Sequence, residues 1–245
     1  MASLSQSVPA RVRVYDRKGL LDEYFYFAMS LLFAVIVVTG FRITINQNLF
    51  HPAIPRPWLL WVHASAFASW IAFYIFQASL VRTHHVKIHR TLGWVGAGLG
   101  TLMVPLGCIT AVVMTRFDTV QLHQSDPAFL SVPFFDMIAF GTLFGLAIYW
   151  RGKPELHKRL LFIATCCLLD APFGRSDFIF FHYLFYPCLD LVIFLGVVRD
   201  LMVNRRVHPV YRYALLFLIP GQAFTVYLWH FNPAWWRGAT HAILS

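Results

Sequence analysis

The chain has 245 residues, of which 58% are hydrophobic and 13% charged, with 24 Phe and 8 Trp, a balance outside that of ordinary soluble domains. Its formal charge of +9 sits mainly between apolar runs, where it marks membrane topology and attraction to anionic headgroups rather than a nucleic-acid-binding face. Apolar runs of about 20 residues, the length that crosses a hydrocarbon core of about 30 Å, recur along the whole sequence.

These runs predict an all-α integral membrane bundle, one domain over residues 1–245. Its seven transmembrane helices lie at about 24–45, 58–81, 91–115, 131–150, 158–174, 178–198 and 213–231. Fifteen of the twenty Lys and Arg residues fall between positions 11–18, 82–90, 151–159 and 199–212, on one side of such a bundle. The positive-inside rule then puts the N-terminus in the cytoplasm and the C-terminus in the periplasm, in a multi-pass inner-membrane protein. Residues 1–20 contain no cleavable apolar core, so the first span is expected to act as the insertion signal.

On the second span His63, Trp70 and Gln77 are seven apart, which keeps them on one helix face, with Phe67 and Tyr74 beside them. The third span opens with "KIHRTLGW", which carries His89 and Arg90, and holds Gly96 and Gly100 as a GxxxG suited to close helix packing. His85 and His89 have the spacing of a metal pair, but no carboxylate or cysteine nearby completes a set, and a basic cytoplasmic loop is the plain reading. No metal site is assigned. All four cysteines fall within spans and read as small hydrophobes.

Asp136 lies near the outer end of the fourth span. The fifth opens with "ELHKRLLF", an echo of the third that brings His157 and Arg159, and ends early through Asp170, Ala171, Pro172, Phe173, Gly174 and Arg175. Snorkelling basic residues account for the two helix starts unless His89 and His157 turn inward together. On the sixth span His182, Tyr186 and Asp190 follow at intervals of four with Pro187 between the last two, and the seventh repeats the pattern with Pro220, Gly221, Gln222 and His230. A charged group at the bilayer centre costs at least about 2.5 kcal/mol, so such residues are expected to face the interior. His63, Asp136, Asp170, Arg175, His182 and His230 would then meet in an outer polar pocket.

Several mechanisms lack their residues. The lysines are Lys18, Lys87, Lys153 and Lys158, none deep in a span, so there is no retinal Schiff base. No phosphate loop, HExxH or GxSxG occurs.

At "HASAFASW", "HRTLGW" and "HKRLLF" the chain resembles bacterial polytopic inner-membrane proteins and, more remotely, the transmembrane cytochrome b family of ascorbate and ferric reductases. That resemblance, over about residues 60–175, implies haem held by histidine pairs from alternate helices, with His89 and His157 as the inner pair and His63 in the outer. The sequence departs from the pattern in helix four, which has Asp136 and no histidine, so His182 or His230 would have to complete the outer pair.

The expected function is therefore an inner-membrane redox protein binding haem b or a quinone between helices, with a quinone or another electron donor as partner in the bilayer. His63, His89, His157, His182, Gln77 and Trp70 would bind the cofactor, and Asp190, Asp170, Asp136 and Arg175 would do the chemistry. A proton-coupled transporter or sensor built on Asp190, Asp170 and His182 is the alternative, and a non-catalytic assembly subunit a third.

Overall fold

The computed structural model describes residues 17–124 and 126–245. The segment read for a signal peptide, residues 1–20, lies mostly outside them. Among the described residues the chain is all-helical: α1 (Arg17–Phe41), α2 (Leu59–Arg82), α3 (Val86–Gln121), α4 (Ser131–Tyr149), α5 (Pro154–Cys166), α6 (Asp170–Phe173), α7 (Asp177–Phe181), α8 (Phe185–Asn204), α9 (Pro209–Phe231) and α10 (Ala234–Leu244).

Five helical segments are long and apolar enough to cross a membrane: Glu23–Phe41, Leu59–Arg82, Val86–Gln121, Pro127–Tyr149 and Pro209–Phe231. The surface fits such a setting, because Val38, Leu102, Ile109, Leu191, Leu216 and Phe224 are exposed. The polar residues Gln77, Asp136, Arg159, Asp170, Asp200 and Gln222 are buried. Apolar outside and polar inside is the arrangement hydrocarbon favours.

The fifth and sixth predicted spans differ from the structure. In place of a helix over 158–174, α5 ends at Cys166 and its last turn tightens, with Leu168 N bonded to Thr165 O and Leu169 N to Cys166 O. Pro172 has no N–H for the carbonyl of Leu168, four residues back, so the ladder cannot run through it. Two short pieces, α6 and α7, follow before α8 restarts at Phe185. Pro187 then falls in the first turn of α8, where its missing N–H has no helical partner to lose. It is therefore no mid-helix kink.

Gly40 of α1 is where the interrupted segment docks: a side chain there would collide with the backbone and ring of Pro172. The GxxxG of α3 does not form a helix-on-helix seam either. Gly96 receives the Phe73 ring of α2, and Gly100 the Phe144 ring of α4.

The short turns at 83–85, 150–153 and 205–208 and the helix ends beside them carry Arg82, Lys87, Arg90, Arg151, Lys153, Lys158, Arg159, Arg199, Arg205, Arg206 and Arg212 and define the basic end of the bundle. The links at 42–58 and 122–130, with α6, α7 and α10, form the opposite end.

Candidate functional site

At the basic end, α2, α3, α4 and α5 enclose a cavity of about 430 Å³. Trp70, Phe73, Tyr74 and Gln77 line it from α2, His89, Arg90, Gly93, Trp94, Gly96 and Ala97 from α3, Phe144 and Ile148 from α4, and His157 and Leu161 from α5, with Arg151 and Gly152 at the mouth. Local rules put these groups here. The seven-residue spacing of Trp70 and Gln77 stacks them on one face of α2, and Gly93 leaves room opposite. Pro154 at the start of α5 sets His157 in the first turn.

The two imidazoles face one another, with 6.3 Å between ring centroids and 71° between planes. His157 Nδ1 lies 2.9 Å from the carbonyl of Ala147 and donates to it, which leaves Nε2 as the unprotonated nitrogen. The main-chain carbonyl of Gln77 approaches the His89 ring as an acceptor, and His89 Nδ1 is buried without a partner. His157 is thus held at one nitrogen by a backbone carbonyl, the arrangement that orients metal-ligating histidines, and His89 keeps a buried nitrogen unused.

Trp70 Nε1 and both amide atoms of Gln77 are also buried without partners, on side chains 3% and 7% exposed. A buried polar group left unpaired costs about 1–3 kcal/mol, so several around one cavity mark a place where something polar belongs.

The predicted outer pocket is brought together only in part. Asp136 and Asp170 lie within reach of one another, both buried, and Tyr186 Oη donates to Asp136 Oδ1 at 3.1 Å. Two buried carboxyls in reach of each other favour holding one proton between them, because two carboxylates there repel. Arg175 acts electrostatically on Asp170 and on His63, and the His63 ring stacks on Phe67 at 4.1 Å.

The remaining candidates have other partners. His182 sits beyond the end of α7 rather than within a long helix, exposed, with Nδ1 2.7 Å from Phe178 O. It does not join His63. His230 pairs with the Tyr183 hydroxyl at 3.0 Å. Asp190, one helical turn beyond Tyr186, accepts from Gln222 Nε2 at 3.1 Å. No group of three or more His, Cys, Asp or Glu suited to a metal ion occurs among the described residues.

A third polar region is absent from the sequence reading. Asp200 of α8 accepts from Arg159 Nε at 2.9 Å and Nη2 at 2.6 Å, Arg199 Nη1 at 2.7 Å, Asn204 Nδ2 at 3.3 Å and His208 N at 3.2 Å. Arg159 also donates to Glu155 Oε2 at 2.6 Å. This hub ties α5, α8 and the start of α9 together. An Arg-Asp pair at 199–200, directly after an apolar run, was its one visible sign.

Comparison with protein-family models, curated proteins and solved structures finds no match to this chain.

Proposed function

We propose that the chain is a multi-pass inner-membrane redox protein that would hold haem b in the cavity at its basic end through His89 and His157. The facing imidazoles carry this reading. The two rings lie 6.3 Å apart between centroids, His157 is oriented through its Nδ1 by the Ala147 carbonyl and His89 Nδ1 has no protein partner, so the pair would be the residues to hold a haem iron. Arg90 and Arg151 at the mouth suit the acidic edge of a haem, and Trp70, Phe73 and Phe144 supply aromatic walls. When bound, haem would supply one-electron chemistry. The protein would bind it, hold the His157 ring through Ala147, and shield it from water.

The proposal includes seven crossings, with α5 to α7 together making the fifth and α8 the sixth, the basic end in the cytoplasm and the C-terminus in the periplasm. The test is spectroscopic. Protein purified in mild detergent and supplied with haem should show a Soret band and a sharpened alpha band on reduction. His157→Ala and His89→Ala should each lower bound haem several-fold while leaving membrane insertion intact. A colourless wild-type preparation after haem supplementation removes the haem reading.

One observation favours a second reading, proton-coupled transport or sensing: the buried Asp136 and Asp170 within reach of one another. Proton flux in proteoliposomes that disappears in Asp170→Asn, in protein that binds no haem, would establish it in place of the first.

A further inference from the structure

The last helix, α10, divides into three faces when its positions are turned at about 100° per residue. Trp236, Thr240 and Leu244 face the protein. Thr240 is buried, Trp236 Nε1 donates to Ala128 O at 3.1 Å, and the carbonyls of Ile243 and Leu244 accept from Arg116 of α3. One flank beside this face carries Trp235, Ala239, Ala242 and Ile243, and the other carries Arg237, His241 and Ser245. Trp235 and Ile243, the large side chains of the apolar flank, are exposed.

The level at which α10 lies is fixed by α9. Exposed aromatic residues mark both ends of that span, Tyr213 beside the basic turns and Tyr227 with Phe231 at the opposite end. From Tyr213 to Phe231 the helix rises about 27 Å, close to a hydrocarbon thickness of about 30 Å, and aromatic rings collect at the two boundaries of a bilayer. Only Asn232 and Pro233 separate α9 from α10, with Asn232 in the left-handed region at a φ of 41°. The chain turns there, and α10 crosses the end of the bundle over Pro127–Leu130 to reach α3. Its first turn folds back on the span. Trp235 stacks on Phe224 at 6.4 Å and 14°, Phe224 on Tyr227 at 6.3 Å, and Tyr227 meets Phe231 at 5.2 Å. All four rings are exposed, so the apolar flank of α10 continues the lipid-facing stripe of α9.

We infer that α10 is an interfacial helix bound to the phospholipid bilayer at the end opposite the basic turns, with Trp235 and Ile243 between acyl chains and headgroups and Arg237 and His241 toward headgroups and water. A helix with an apolar flank against lipid and a basic flank against water is the form in-plane anchors take. Trp235 suits that depth because its ring is apolar and its N–H polar. Arg237 is a donor for phosphate, and α10 contains no acid to oppose it. Lipid is the occupant that the continuous stripe selects, since Phe224 and Tyr227 of the same stripe lie within the span. The bilayer is then a third attachment of α10, after Arg116 and Ala128. The inference requires a membrane setting and is independent of what His89 and His157 hold.

The full-length protein would be reconstituted in phosphatidylcholine vesicles, plain or brominated on the acyl carbons near the headgroup, and tryptophan emission read with and without acrylamide in the water. The emission lost on Trp235→Phe, which keeps a ring against Phe224, isolates this residue among the 8 Trp. That share should fall several-fold in brominated vesicles and little with acrylamide. His241→Trp, added to the Trp235→Phe chain, reports on the other flank and should respond the opposite way. Ile243→Trp in a chain that keeps Trp235 should add emission quenched by bromine, and it gives the answer if Trp235→Phe does not insert.

The inference is overturned if acrylamide quenches the Trp235 share as strongly as bromine does, which places α10 in water. It is equally overturned if neither quenches it, which means that protein covers the flank, a second copy of this chain included. Absorbance of the same samples keeps the two proposals apart. The expected quenching in a colourless protein upholds this inference and removes haem, and a Soret band without that quenching does the reverse.

Discussion

Two polar regions share the basic end of the bundle and differ in one respect. Around Asp200 both carboxylate oxygens are saturated, by five donors from two arginines, an asparagine and a backbone N–H. Around the neighbouring cavity, Trp70 Nε1, the Gln77 amide and His89 Nδ1 are buried with nothing to bond. A buried carboxylate with both oxygens bonded is what a fold uses to lock helices together, whereas a buried amide with no partner contributes only its desolvation cost to the fold. The sign of a mutation's effect on stability should therefore reverse between the two regions.

The largest effect is expected at the saturated hub. Asp200→Ala leaves the buried guanidinium of Arg159 without its main partner, and breaking a buried pair in this way costs about 3–5 kcal/mol. Thermal unfolding in detergent should show a large fall in midpoint. A loss below about 1 kcal/mol would mean that water reaches Arg159, and the contrast with the cavity would collapse.

Gln77→Leu should act in the opposite direction. It removes an unpaired buried amide and replaces it with an apolar side chain of similar size, which should stabilise the ligand-free protein by up to about 1–3 kcal/mol while lowering the haem bound. Gain of stability with loss of binding is the signature of a site residue. A destabilised Gln77→Leu protein would assign the amide to the fold instead.

How much of this was legible in the sequence follows the same division. The cavity's groups could be found because local periodicity places them: Trp70 and Gln77 seven apart on α2, His89 and His157 by the paired helix starts. The hub could not, because Arg159 and Asp200 are 41 positions apart and neither position alone looks different from an interfacial charge. The existence of most helices was readable from apolar runs and basic turns. The end of α5 was not, since apolar residues continue through Leu169 after the helix has tightened at Cys167. His182 was misplaced for the same reason. The apolar run was read as a helix beginning near Phe178, but Tyr183 adopts a φ of 56° and the long helix begins only at Phe185. The seven-residue logic that found Trp70 and Gln77 has no counterpart in a segment whose breaks depend on Pro172 packing against Gly40.

The opposite end supplies an intermediate case. Asp136 and Asp170 are buried within reach of one another, and stay so only while a proton lies between them. Asp136→Asn provides a permanent donor, so it should change stability by about 1 kcal/mol or less at neutral pH. Asp136→Ala, which leaves Asp170 and the Tyr186 hydroxyl without their partner, should cost about 1–3 kcal/mol. Equal losses in the two variants would show that the pair is not held by a proton.

The smallest effect is expected where pairing occurs in the open. Arg116 of α3 donates from Nε to Leu244 O at 3.0 Å and from Nη2 to Ile243 O at 3.1 Å, at the C-terminal end of α10. A cation there satisfies the carbonyls that a helix end leaves over and complements its dipole. These groups are exposed, so water takes the place of the guanidinium in Arg116→Ala, and the cost should be about 0.5–1 kcal/mol. Amide hydrogen exchange should quicken in α10 alone, while haem content stays at its wild-type value, because the contact lies at the end of the bundle remote from His89 and His157. The three buried regions and this exposed one then order by what replaces the lost partner: nothing at Asp200, a ligand at Gln77, a proton at Asp136 and solvent at Arg116.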